Sequence, residues 1–258
     1  MFKKVIFLSC LLLFPINYSF GGVIPENVYD NFTANYDFEF SGMVVAHGDL
    51  TGNRINNVYK VSFSGKTTKF ISIFYNLKEN IEGEVNIGSK KDVYYRSVEI
   101  RPKKKKMVNI TFKDENSAKV IMQKGDDKEI YNIKSKYPIF SPISIYIFFM
   151  NNKIEISKTY SMHTIVAKKI YRVDIKPIGV KKLNLDKLKR KKFEEDALEV
   201  ELRFYKVKKG TIYKNNKIKK VIAWISTKPP YIPILIESWH FLGVFSARLK
   251  CLKNNNIY

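Results

Sequence analysis

From about residue 30 onward the chain alternates between apolar and polar positions, the period of an extended strand with one buried face. In "NYDFEFSG", Tyr36, Phe38 and Phe40 share one face, and Asp37, Glu39 and Ser41 the other. In "ALEVELRF", Leu198, Val200, Leu202 and Phe204 oppose Glu199, Glu201 and Arg203. The segments "NRINNVYKVSFSG", "TTKFISIFY", "KDVYYRSVEI", "KMVNITF", "AKVIMQ", "EIYNIKS", "SKTYSMHTIVA", "KIYRVDIKPIG", "KIKKVIAWIST", "PYIPILIES" and "GVFSARLK" read as strands too. Asn-Asn, Gly-Asp and Gly-Lys pairs between them suit hairpin turns. About a dozen strands spaced by roughly 10–14 residues predict a large antiparallel meander, which at that length must curl or split. The expected fold is therefore all-β with minor α, a strongly curved half-barrel or open barrel in a single domain over 22–258.

The stretch "YPIFSPISIYIFFM", residues 137–150, interrupts the alternation. It is too short to span a bilayer. Ser141 suits an N-cap and Pro142 the first helical position. The residues that follow are apolar nearly all round, so 141–149 is predicted to be a short buried helix, a plug inside the curved sheet. A second helical candidate, "LDKLKRKKFEEDA" over 185–197, is polar nearly all round and reads as a surface helix or loop.

Charge and the N-terminus narrow the setting. The formal net charge is +22. Lys3 and Lys4, the apolar run Val5 to Phe14, Pro15, and the small residues Ser19 and Gly21 read as a signal peptide over 1–21. Its removal takes away two lysines, so the mature charge is 22 − 2 = +20. An exported chain places nucleic acid outside the expected partners and leaves anionic membrane surfaces, lipids or lipoproteins within them. Enrichment in Lys, Asn and Ile also suits an AT-rich coding sequence. Cys10 lies within the leader and lacks a lipoprotein context. The mature chain keeps only Cys251, which can form no internal disulfide.

The candidate chemistry is sparse. His47, His163 and His240 are far apart, without metal-ligand spacing, and no nucleophile elbow, P-loop or dinucleotide glycine pattern occurs. The acidic groups Asp126-Asp127 and Glu194-Glu195-Asp196 read as solvated loops. These features predict no catalytic residue, metal or cofactor. Two basic runs, Lys103-Lys104-Lys105-Lys106 and Lys189-Arg190-Lys191-Lys192, read as hairpin tips, or as sites of capture at an anionic membrane. Phe38, Phe40, Phe70, Phe74, Tyr146, Phe148, Phe149, Trp224 and Trp239 are candidates for the concave face. Phe38, Phe40, Tyr146, Ile147, Phe149 and Trp224 are the ligand-lining candidates among them and the plug. The pattern sets no oligomeric state.

Several landmarks resemble a bacterial family named domain of unknown function 3108. "PIFSPISIYIFFM" is similar to that family's mid-domain Asp-Pro-Leu-Ser-x-x-Tyr stretch. "KKVIAWISTKPPYIPILIESWHFLGVFSARL" is similar to its ending, with Trp224, Pro233, Gly243 and Leu249 at matching landmarks. "YDFEFSGMVVAHGDL" resembles its opening strand and "NIEGEVN" its Ser-Gly strand. Phe140 departs from the family's acidic residue, and Lys228 from a frequent Asp. The resemblance, over about residues 35–250, implies an exported, mostly β envelope domain and no particular activity. The architecture also looks like that of periplasmic lipoprotein carriers, an analogy of fold only. The sequence thus supports a non-enzymatic envelope protein that binds an apolar or amphipathic ligand, such as a lipid or lipoprotein tail. The alternatives are an interaction protein with a filled core, acting through a basic face or sheet edge, and, last, an envelope enzyme.

Overall fold

A computed structural model describes residues 31–87, 89, 91–151, 154–184, 194–208, 210–214, 220–228, 231–240 and 243–254. The expected signal peptide over 1–21 and the basic run 189–192 lie outside them. The described strands are β1 (Asn31–Phe40), β2 (Met43–Ile55), β3 (Val58–Thr67), β4 (Lys78–Asn86), β5 (Lys91–Arg101), β6 (Lys104–Asp114), β7 (Ser117–Lys124) and β8 (Asp127–Lys134). They continue as β9 (Ile139–Phe140), β10 (Tyr160–Val166), β11 (Lys169–Asn184), β12 (Glu194–Lys208), β13 (Thr211–Lys214), β14 (Lys220–Ser226), β15 (Pro233–His240) and β16 (Gly243–Asn254). Two helices are described, α1 (Lys69–Phe74) and α2 (Pro142–Asn151).

All sixteen strands belong to one sheet, in the order β8-β7-β6-β5-β4-β3-β2-β1-β16-β15-β14-β12-β11-β10-β9, with β13 paired to β12. Neighbours are antiparallel except β9 and β10. The two halves of the meander join where β1 pairs with β16 (Phe38↔Ala247). Hairpin turns fall where small or amide residues accept a left-handed backbone, as at Ser41-Gly42 and Asn56. The Gly65-Lys66 pair, expected in a turn, lies inside β3, because Gly65 pairs with Gly48 and Glu79.

The sheet is open and curved. Bulges at Lys250 of β16, Val93 of β5 and Ile178 of β11 bend it. Pro177 sits at the β11 bulge, where a strand tolerates a missing N–H. Its two ends approach without forming a ladder. Lys168, in the β10–β11 turn, donates to the Tyr131 hydroxyl of β8 and lies 3.7 Å from Glu129. The Ile139 amide of β9 donates to the Glu115 carbonyl at 2.6 Å.

The concave side is the core. Phe32, Ala34 and Tyr36 of β1, Tyr59 and Val61 of β3, Ile110 of β6, Val120 of β7, Val173 and Ile175 of β11, and Val200 and Leu202 of β12 contribute to one cluster. α2 lies in that cluster, with every residue from Pro142 to Met150 buried. The predicted buried helix over 141–149 is therefore present, preceded by Ser141 as its cap.

Two local expectations are corrected. "TTKFISIFY" is not a strand. The β3–β4 ladder ends at Lys66↔Lys78 and the β2–β3 ladder at Ala46↔Thr67, so the residues from Lys69 onward have no strand to pair with. Residues 69–74 instead satisfy their own backbone, with the Ser72 amide bonded to the Thr68 carbonyl at 2.8 Å and Tyr75 to Ile71 at 2.8 Å. The helix proposed over 185–197 is not formed in its described part. Glu194 to Ala197 extend β12, where Glu194 pairs with Asn184 and Ala197 with Lys181. Glu194-Glu195-Asp196 is thus strand, and Glu195 accepts a bond from Ser226 Oγ at 3.1 Å.

Phe149 is fully buried at the centre of this arrangement. Phe149→Ala is expected to lower unfolding free energy by about 3–5 kcal/mol, read as a shifted midpoint in urea. A loss below about 1 kcal/mol would show that α2 is not part of the cooperative core.

Candidate functional site

The concave side of the sheet and α2 form the candidate site. Its shape begins with a glycine. Gly83 of β4 faces α2, and a Cβ there would stand 2.8 Å from Ile143 Cδ1. The missing side chain lets the helix approach the sheet. Further along α2, Tyr146 stacks on Phe32 with centroids 6.1 Å apart. The Tyr36 hydroxyl donates to the Pro233 carbonyl at 2.8 Å and lies 3.2 Å from the Tyr146 hydroxyl, which satisfies a polar group inside the core. Burial pushes both phenols well above their ordinary pKa. Phe148 packs edge-on against Tyr160 of β10 at 5.9 Å. α2 therefore touches both halves of the meander.

The helix N-terminus is held by a carboxylate. Asp92, at the start of β5, is buried. Its oxygens accept from the Ser141 amide at 3.1 Å, Ser141 Oγ at 2.5 Å and Ser144 Oγ at 2.5 Å. The Ser144 amide also bonds to Ser141 Oγ at 3.3 Å, an N-cap contact. A negative charge suits this end of a helix, yet burial dominates and pushes the Asp92 carboxyl up to about 6, against the hydrogen bonds from Ser141 and Ser144. Phe140 stands where the resemblance placed an acidic residue. The carboxylate at this helix start comes instead from Asp92. In the sequence, an Asp at the head of "KDVYYRSVEI" looks like a turn residue, and no local signal ties it to residues some fifty positions away.

A second buried carboxyl lies further along the same face. Glu79 alternates with Ile81, Gly83 and Val85 on β4 and is 1% exposed. Ser97 Oγ donates to its Oε1 at 3.0 Å, while Oε2 has no hydrogen-bond partner. Burial raises its pKa to about 8, so it carries a proton at neutral pH.

The ligand-lining candidates divide. Tyr146, Ile147 and Phe149 are in the core on α2, and Phe38 packs against it, edge-on to Phe63 at 5.8 Å. Phe40 and Trp224 are not among them. Phe40 packs against Phe245 with ring centroids 4.5 Å apart and planes tilted by 33°, beside the β1–β2 turn. Trp224 pairs with Glu199 and Leu235 on the face opposite Val221, Ala223 and Ile225, which are the core residues of β14. Trp239 likewise lies outside the core cluster, with Lys220 Nζ 5.5 Å from its ring. Phe70 and Phe74 are exposed on α1. Alternation along β14 turns Trp224 away from the core, whereas Phe40, paired with Phe245, follows Phe38 along β1 but stands beyond the core at the turn end of the strand.

The polar candidates are dispersed. Lys103 lies in the β5–β6 turn and Lys104, Lys105 and Lys106 begin β6. His47 is exposed and bonds Asp37 at 2.6 Å. His240 contacts Ser238 Oγ at 2.8 Å. His163 is buried, stacks on Tyr137 with centroids 4.5 Å apart, and has its pKa lowered to about 4 by burial and by Arg172. Among the described residues, no group of three His, Cys, Asp or Glu side chains is placed to hold a metal ion, and no helix is long and apolar enough to cross a membrane.

The model of the family described as "Protein of unknown function (DUF3108)" matches residues 31–250, and the chain belongs to that family. No curated protein matches it. A β-barrel-like protein of domain of unknown function DUF1849 from Brucella abortus is similar in fold. It has a TM-score of 0.60 and 11% identity, and the match covers 89% of this chain and 99% of that one. A "putative lipoprotein" from Parabacteroides distasonis aligns at a TM-score of 0.36 and 10% identity, covering 88% and 96%.

Asp92 makes a prediction about pH. Its folded pKa of about 6 exceeds the ordinary 3.8, so the folded state binds more protons between these values. Stability from this group is therefore greatest below the lower value and falls as pH rises to about 6, by on the order of 3 kcal/mol. Asp92→Asn removes that dependence. The stability of the variant relative to the native protein is expected to rise from pH 4 to 6.5 in denaturant titrations. A difference flat across this range would show that Asp92 ionises freely in the folded protein.

Proposed function

We propose that this member of the DUF3108 family is a non-enzymatic protein of the bacterial cell envelope that takes an apolar or amphipathic ligand into its curved sheet. The ligand class is a lipid or the acyl tail of a lipoprotein, and α2 is the resident occupant that it displaces. The observation that carries this reading is α2 itself, a helix apolar on all sides lying on the concave face of an open sheet. It meets the sheet through side chains, with polar ties at Asp92 and Tyr146. An element packed without a backbone ladder can move as a unit. The apolar area that it would uncover can be covered again by an acyl chain, at about 25 cal/mol per Å². The leader-like residues 1–21 support export.

The burial of every residue from Pro142 to Met150 favours a second reading, in which the core is permanently filled and the protein acts through its surface. A covalent lock separates the two. A Cβ at Gly83 lies 3.4 Å from Ile143 Cβ, close to the roughly 3.5–4.5 Å found across disulfides. In a Cys251→Ser background, Gly83→Cys with Ile143→Cys is expected to bind lipid when reduced and to lose binding when oxidised. Native mass spectrometry after incubation with envelope lipids measures it. Equal lipid occupancy in both states dismisses the displaced plug. A bare mass in the native protein and in both states of the variant supports the filled core.

A further inference from the structure

α1 exposes three large apolar side chains. Phe70, Ile73 and Phe74 are 64%, 76% and 79% exposed. Spaced i, i+3 and i+4, they share one side of the helix, and the Phe70 and Phe74 rings meet edge to face at 6.1 Å. Water gains nothing from such a patch, and a soluble surface scatters its apolar residues singly.

Cations surround it. Lys69 begins α1. Lys66 and Lys78 face each other where the β3–β4 ladder ends beside the helix, and Lys78 pairs in turn with Ile100, itself exposed. The next residue, Arg101, places its guanidinium carbon 5.3 Å from the ring centre of Tyr75, the residue that closes α1. The chain then turns through Pro102 and Lys103 into Lys104 and Lys105, all exposed. The lysine run therefore starts two residues beyond a side chain that touches the end of α1. The nearby acidic groups do not cancel it. Glu79 is buried, and Glu99 is paired with Arg101 at 2.5 Å. Asp126 and Asp127 lie at the β7–β8 turn, flanked by Lys124 and Lys128.

We propose that α1 and the β5–β6 hairpin form a docking surface for an anionic lipid membrane. Phe70, Ile73 and Phe74 enter the boundary between headgroups and acyl chains, and Lys69, Lys78, Lys103, Lys104 and Lys105 meet the lipid phosphates. An apolar centre within a basic rim is complementary to an anionic bilayer, whose attraction for each cation is screened by salt. The surface lies at the end of the sheet opposite Asp92, so docking leaves the N-terminal end of α2 untouched. The proposal does not depend on ligand uptake by the curved sheet.

The test is sedimentation of the mature protein with vesicles of phosphatidylcholine, with and without phosphatidylglycerol. Binding is expected to need phosphatidylglycerol and to fall at high salt. The variant Phe70→Ser/Ile73→Ser/Phe74→Ser and the variant Lys103→Ala/Lys104→Ala/Lys105→Ala are each expected to bind roughly tenfold or more weakly, with unchanged melting because every altered side chain is exposed. A native protein that stays in the supernatant overturns the proposal, as does native-like sedimentation of both variants. If the α1 variant sediments normally but loses a crosslink to an envelope protein, the surface is a protein interface and the lipid assignment fails. Should the α1 variant melt early, the lysine variant, altered on a solvent-exposed hairpin, still decides.

Discussion

An open sheet bent into a half-barrel has an inner face that must be removed from water. A closed barrel fills itself with its own side chains, and a sandwich buries one sheet against another. Here neither happens. The two ends of the sheet approach and are bridged by side chains of Lys168, Tyr131 and Glu129, while the space between is taken by α2. The length of α2, its lack of a polar side, and the glycine opposite Ile143 follow from that requirement. The pairing of β1 with β16 follows as well, since it holds the two halves of the meander around the helix.

Filling the interior with a helix creates a polar problem at its end. The first amides of α2 have no partner within the helix, and Ser141 and Ser144 bring hydroxyls into the core. Asp92 answers the Ser141 amide and both hydroxyls from β5, and Ser141 Oγ in turn accepts from the Ser144 amide. The answer leaves a carboxyl in a dry place, where its charged form is disfavoured. Glu79 shows the same tension with one hydroxyl partner instead of several, and its shift is correspondingly larger. The interior is thus apolar in bulk, with ionisable groups at chosen points of β4 and β5.

The outside follows a different logic. Hairpin ends are free of packing demands, and the chain spends them on lysine. One end also carries α1, whose apolar side faces solvent beside the basic hairpin. The fold shared with the Brucella β-barrel-like protein accounts for the sheet. The proposed roles of the concave face and of α1 rest on this chain's own residues.

Much of the architecture was legible in the order of residues, because alternation and turn chemistry are local. The strands of "NYDFEFSG" and "ALEVELRF" and the buried helix after Ser141-Pro142 needed only periodicity and capping to be read, and the landmarks of residues 137–150 and 220–250 pointed to the family. Pairing was not local, and it decided the rest. "TTKFISIFY" has the composition of a strand, yet it became α1 because the ladder had already ended. The residues before "ALEVELRF" became strand because β11 reached far enough to pair with them. Trp224 is as aromatic as Phe149, and only alternation along β14 sent it to the other face, while Phe40 follows Phe38 along β1 yet stands at the turn, beyond the core. Asp92 gained its role from meeting Ser141 across the fold, a contact that sequence spacing does not encode.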